Sequence, residues 1–142
     1  MNNTVATEGE SMVSFEKLTL DREDPIYMQI IRYIKQGIAS GVIENQEEVP
    51  SRRLLSALLG VNPNTIQKAY RILEEEGVLF SRSGAKSYIC AGREQVERIR
   101  RELLQSDTEE WVRAMKQLGI RREEAVALAE KLWEKSEEEK LL

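Results

Sequence analysis

Between Pro50 and Leu73 every charged side chain is basic: Arg52, Arg53, Lys68 and Arg71. Glu47 and Glu48 precede this stretch, and Glu74, Glu75 and Glu76 follow it. Interleaved with the bases stand Asn62, Asn64, Thr65 and Gln67. Cations hold phosphates and side-chain amides pair bidentately with adenine edges, so the combination points to recognition of a polyanion rather than to bond-making. Catalysis finds little to work with. The chain has no histidine and one cysteine, Cys90. That removes the commonest general base and metal ligand, any cysteine cluster and any internal disulfide. No catalytic residue, metal or cofactor is expected.

The elements that must carry these residues are helices. Asp24-Pro25 is a helix start signal, after which Ile26, Tyr27, Ile30, Ile31, Ile34 and Ile38 recur at helical spacing until Gly41 stops the run. "VIENQEEVP" reads as a connector. Ser51 then caps "RRLLSALLG", in which Leu54, Leu55, Leu58 and Leu59 form one stripe and Arg53 falls on the opposite side. A third helix opens with Asn62 as cap and Pro63 at the first helical position. Its core stripe is Ile66, Ala69, Tyr70 and Leu73, with Asn64, Lys68 and Arg71 directly opposite. Beyond Gly77, "VLFSRSGAKSYIC" predicts a strand over Val78–Phe80, a turn at Ser83-Gly84-Ala85 flanked by Arg82 and Lys86, and a strand over Ser87–Cys90. Helix, helix, tight turn, helix, hairpin is the order of a winged helix-turn-helix domain.

The rest is charged and helical. Val96, Ile99, Leu103, Trp111, Ala114, Met115 and Leu118 keep one register over 93–118, which favours a single long helix although Ser106-Asp107-Thr108 can also cap a new one. A last helix, about 121–138, carries Ala125, Val126, Ala129, Leu132 and Trp133 on one side. The predicted organisation is a disordered 1–14, a winged helix-turn-helix domain over 15–92 and a helical dimerisation tail over 93–142. The fold class is thus mainly α with a small β-hairpin wing. Net charge is −4, yet residues 21–92 balance nine bases against nine acids, so the basic stretch is a local patch. "MNNTVATEGESMVS" lacks the pattern of a secretory signal and no apolar run spans a bilayer, from which a cytoplasmic protein without a membrane partner is expected.

Three segments, "DPIYMQIIRYIKQGIASG", "VPSRRLLSALLGVNPNTIQKAYRILEEEGVL" and "SRSGAKSYI", carry a resemblance. Over 21–92 the chain resembles the winged helix-turn-helix domain of GntR-type bacterial transcription regulators, and "LGVNPNTIQKAY" looks like the recognition segment of their YtrA-type subfamily, whose members add a short two-helix tail. The resemblance implies a homodimer on a palindromic double-stranded DNA operator, acting as a repressor. It also implies contacts from the Arg of the Pro-Ser-x-Arg motif, the recognition helix and the wing tip. On this chain these fall on Arg53 with Ser51 and Arg52 beside it, on Asn62, Asn64, Thr65, Gln67 and Lys68, and on Gly84 with Arg82 and Lys86. Two departures stand out. Asn45-Gln46 occupies the connector where the family usually has Pro-Gly, and Lys86 replaces the second glycine of a Gly-x-Gly wing.

Local chemistry offers plainer readings of the same residues. Ser51, Asn62 and Pro63 are accounted for as helix starters, Arg53 by an ion pair with Glu47 or Glu48, Arg71 by a pair with Glu74 or Glu75. Tyr70 belongs to the core, and Cys90 reads as a small buried apolar residue. Val96, Ile99, Leu103, Met115, Leu118, Val126, Leu132 and Trp133 form the expected dimer face. The alternative function is a winged-helix module that binds protein without reading DNA sequence.

Overall fold

A computed structural model describes residues 11–82 and 86–141, the side chain of Leu141 excepted. The chain divides into two compact units between Arg101 and Glu102.

The first unit is organised by helix α1 (Ile26–Ser40), whose Ile30, Ile34 and Ile38 are buried at i, i+4 and i+8. Gly41 ends it in the left-handed region at φ 84°, a conformation that glycine adopts without a Cβ clash. After a connector come strand β1 (Glu48–Val49), α2 (Arg52–Leu59) and α3 (Pro63–Glu75). Ser51 and Asn62 cap the two helices as their sequence context requires: the Ser51 hydroxyl accepts the Leu54 N–H at 3.1 Å, and Asn62 Oδ1 accepts the Asn64 N–H at 2.8 Å. The turn between them is locked by the Ser56 hydroxyl, which donates to the Val61 carbonyl at 2.5 Å, and by Gly60 at φ 67°. α3 packs against α1 and α2 through buried Ile66, Ala69, Tyr70 and Leu73.

Strands β2 (Leu79–Ser81) and β3 (Ser87–Ile89) form the wing, one residue shifted or shortened from the sequence reading. The antiparallel sheet has a third member. β1, inside the segment read as a bare connector, pairs with β3 in the order β1-β3-β2, with Glu48 opposite Tyr88 and Val49 opposite Ser87. Nor does order wait for Phe15. Val13 is buried, its N–H donates to the Glu48 carbonyl at 2.9 Å, and Met12 bridges Glu48 in parallel, so the segment from Ser11 clings to the free edge of β1.

The first turns of α4 (Arg93–Gln117) are fixed to the end of α3. Gln95 Nε2 donates to the Gly77 carbonyl at 2.9 Å, and Arg98 bonds Gln95 Oε1 at 2.7 Å. α4 runs unbroken through Ser106-Asp107-Thr108, as the single-helix reading has it. The second unit holds the rest of α4 and α5 (Arg122–Leu141), a later and longer helix than 121–138. Within it Ala125 is the one buried residue among those described, and Leu118, Val126, Leu132 and Trp133 are all exposed. No helix of the described residues is long and apolar enough to cross a membrane.

Candidate nucleic-acid interface

α3 presents its outer face at its start. Asn64, Gln67, Lys68 and Arg71 are exposed, Thr65 is half-buried, and Asn62 and Pro63 sit at the mouth of the helix. Neither Asn64 nor Gln67 spends its side-chain amide on the protein among the described residues, so both keep donor and acceptor for a ligand. Asn62 and Ser51 instead use their side-chain oxygens as caps. Each helix mouth so capped still turns partly positive N–H groups outward, which suits phosphate.

The bases separate into two groups. Arg52 is half-buried, its Nη2 lies 2.9 Å from Glu74 Oε1, and its guanidinium stands 5.3 Å from the centre of the Tyr70 ring. This side chain braces α2 against α3, so the charge that the motif would offer to a phosphate is shared with Glu74. Arg71 pairs with Glu75 at 4.0 Å, and Lys35 of α1 with Glu76. All three glutamates that close α3 are therefore matched to a base. Arg53 is exposed, and no carboxylate pairs with it among the described residues. The competing pair with Glu47 does not form because that carboxylate accepts from the Glu44 N–H at 2.7 Å and the Ser11 hydroxyl at 3.2 Å. Lys68, Arg82 and Lys86 likewise have no ion pair among the described residues, but Lys68 is not loose: its Nζ lies 4.0 Å from the centre of the Tyr27 ring.

At the wing the Arg82 N–H donates to the Lys86 carbonyl at 3.1 Å, closing the base of the hairpin. Arg82 spreads over both Phe80 and Tyr88, 5.4 and 4.9 Å from their centres, and these rings are cross-strand partners 5.7 Å apart. Gly84, the expected wing tip, lies outside the described residues, together with its neighbours Ser83 and Ala85. Phe80, Tyr88 and Tyr27 were absent from the sequence-derived site. Alternation along β2 and β3 puts the first two on the outer sheet face, but nothing along the chain brings Tyr27 to Lys68.

The connector and the wing root support this surface. Tyr70 donates its hydroxyl to the buried Pro50 carbonyl at 2.7 Å, tying the recognition helix to the segment that starts α2. Burial pushes the Tyr70 phenol well above its ordinary value, with the Arg52 charge acting the other way. Gln46 takes φ 71°, the only non-glycine with positive φ among the described residues, at the place where the family carries glycine. Its N–H donates to the Ile89 carbonyl, and Asn45 Oδ1 accepts the Ala91 N–H, so this connector is bonded to the end of β3.

Other expectations need correction. Leu54 and Leu58 are exposed, because an eight-residue helix seated through Leu55 buries only part of a two-sided leucine stripe. Cys90 is exposed, since Ile89 takes the inward position and the chain leaves the sheet after it. In the tail face, Ile99 is only 1% exposed within one chain and is not available to a partner; Val96, Leu103 and Met115 are half-buried.

The family model of bacterial regulatory proteins, gntR family, matches residues 26–89. The uncharacterised HTH-type transcriptional regulator YhcF of Bacillus subtilis is 33% identical over 100 residues, covering 70% of this chain and 83% of that one. The HTH-type transcriptional repressor YtrA of the same organism is 40% identical over 65 residues, 46% of this chain and 50% of its own length. A GntR family transcriptional regulator from Listeria monocytogenes superposes with a TM-score of 0.71 at 34% identity, over 79% of this chain and 98% of that structure. With two relatives matched over 83% and 98% of their lengths on a winged helix-turn-helix frame, the chain belongs to the GntR family of bacterial regulatory proteins.

Proposed function

We propose that the protein is a sequence-specific DNA-binding transcriptional regulator that works as a homodimer on a palindromic operator and represses by occupying it. The observation that carries this reading is the sorting of charge on the first unit. Arg53, Lys68, Arg82 and Lys86 carry no ion pair among the described residues, while Arg52, Arg71 and Lys35 are matched to Glu74, Glu75 and Glu76. Asn64 and Gln67 stand among the unmatched bases with open amides. In this arrangement the cations hold phosphates while the amides read base edges in the major groove.

The homodimer rests on the second unit. Leu118, Leu132 and Trp133 are 71%, 55% and 72% exposed on one chain, more apolar surface than a lone helix keeps in water without a partner. Two-fold symmetry is the usual solution and would set two recognition helices on half-sites a whole number of DNA turns apart. YtrA, named a repressor, supports the sign of regulation.

The test is binding to a labelled duplex enriched from random sequence, titrated across a salt series. Affinity should fall steeply with salt through counterion release. Lys68→Ala should lower the slope of log K against log salt by about 1 and weaken binding to all sequences, whereas Gln67→Ala should relax preference at one base position. Binding that ignores salt, or a protein that enriches no sequence, refutes the proposal.

A further inference from the structure

Of the four tyrosines, Tyr33 and Tyr70 donate their hydroxyls to main-chain carbonyls, those of Ser14 and Pro50. The Tyr27 hydroxyl has no such partner among the described residues, and its ring lies under the Lys68 ammonium at 4.0 Å. Tyr27 belongs to α1, outside the helix-turn-helix pair, so an element that otherwise serves the core reaches the edge of the recognition helix. We propose that Tyr27 and Lys68 together form a clamp for one DNA phosphate: the ring positions the ammonium and the hydroxyl donates to the same phosphate. The inference rests on the DNA reading above.

The chemistry fits a phosphate better than a neutral ligand. An ammonium over an aromatic face turns one side to the ring and keeps N–H donors on the other, while a phenol supplies one more donor of fixed direction. Because Lys68 is held before the ligand arrives, less side-chain freedom is lost on binding than for a waving lysine. Two of the acids that precede α1 are placed elsewhere. Asp21 and Asp24 line a groove with Gln29, Tyr33, Gln36 and Ser40 of α1, and at 100° per residue Tyr27 lies on the opposite face of that helix.

The experiment uses full-length protein and a fluorescent duplex enriched from a random pool by the wild type, read by anisotropy with thermal melts as a control. Y27F keeps the ring and loses only a hydroxyl that bonds nothing among the described residues. It should melt as wild type and bind about tenfold more weakly, the loss of a hydrogen bond to a charged group. Y27L should bind about threefold more weakly again, because the ammonium is no longer held. In the K68A background Y27F and Y27L should bind alike, since the ring has nothing left to position; a merely structural role for the ring would keep them apart. Y27F binding as tightly as wild type, or Y27F and Y27L equally weak with Lys68 present, overturns the clamp and leaves the DNA reading standing. A wild type that enriches no duplex overturns the DNA reading itself, and the clamp with it.

Discussion

Tyr70→Phe isolates one hydrogen bond on which the geometry of the interface depends. The ring stays, so packing against Ile66 and Leu73 and the seat of Arg52 are kept, and no cavity opens. What goes is the donor to the Pro50 carbonyl, a buried acceptor then left unsatisfied. The cost at neutral pH is about 1–3 kcal/mol of unfolding free energy. Alkaline pH supplies a second, signed test. The folded phenol titrates far above its ordinary value of 10.0, while the unfolded one titrates near it. Above pH 10 the unfolded state thus releases a proton that the native state keeps. Wild-type stability accordingly declines by up to about 1.4 kcal/mol per pH unit relative to the variant, which has no phenol at this position. Full stabilisation is present below pH 10 and shrinks as pH rises beyond it. Urea unfolding followed by circular dichroism at pH 7 and pH 11 reads both effects in the midpoints at constant slope. Equal midpoints at pH 7, or a gap that does not narrow at pH 11, would refute the reasoning.

Three further outcomes follow from other contacts. Arg53→Ala should weaken operator binding by about 1–3 kcal/mol and move unfolding free energy by less than about 0.5 kcal/mol, measured by anisotropy and urea melts, because its exposed side chain bonds nothing among the described residues. Gln46→Gly should stabilise by about 0.5–1 kcal/mol in the same melts, since φ 71° strains an L side chain more than glycine's greater freedom costs in the unfolded chain. The double variant L132E/W133E should stay folded and helical, both positions being exposed on one chain, but sediment as a monomer and lose about a hundredfold in operator affinity through lost linkage of the half-sites.

What the sequence disclosed tracks how local each cause is. Helices α1, α2 and α3 were legible because their starts and stops sit within a few residues: Ser51 and Asn62 as caps, Gly41 and Gly60 as left-handed ends. The exposed side of α3 followed from periodicity alone. β1 was not legible, since two residues are too few to show alternation and its existence depends on β3, some forty residues on. The same holds for the fate of the bases. Arg52 and Arg53 are neighbours of one chemistry, and what separates them is Tyr70 and Glu74 arriving from another helix. Ile99 and Leu118 share one apolar register, yet one is buried and the other 71% exposed, because a stripe along a long helix does not say where its own domain ends. Gln46 is the instructive departure: its N–H donates to the Ile89 carbonyl and Asn45 Oδ1 accepts the Ala91 N–H, and these bonds hold a glycine-like turn without a glycine.

The acidic balance of the chain then ceases to argue against a polyanion partner. A carboxylate at the end of a helix faces the negative pole of the helix dipole, so Glu74, Glu75 and Glu76 would destabilise α3 if left bare. Each is answered by a base drawn from a different place: Arg52 from α2, Arg71 from one turn back, Lys35 from α1. These partly exposed pairs contribute little individually, under about 1 kcal/mol each. Their effect is on the field: they neutralise the far end of the recognition helix and leave its first half to the unpaired bases. Arg53, in the first turn of α2, and Lys68, in the first half of α3, keep their charge with no ion pair among the described residues. At physiological salt, charges more than about 8 Å away are largely screened, so the potential that a phosphate meets is set by these near cations and not by the chain's sum of −4.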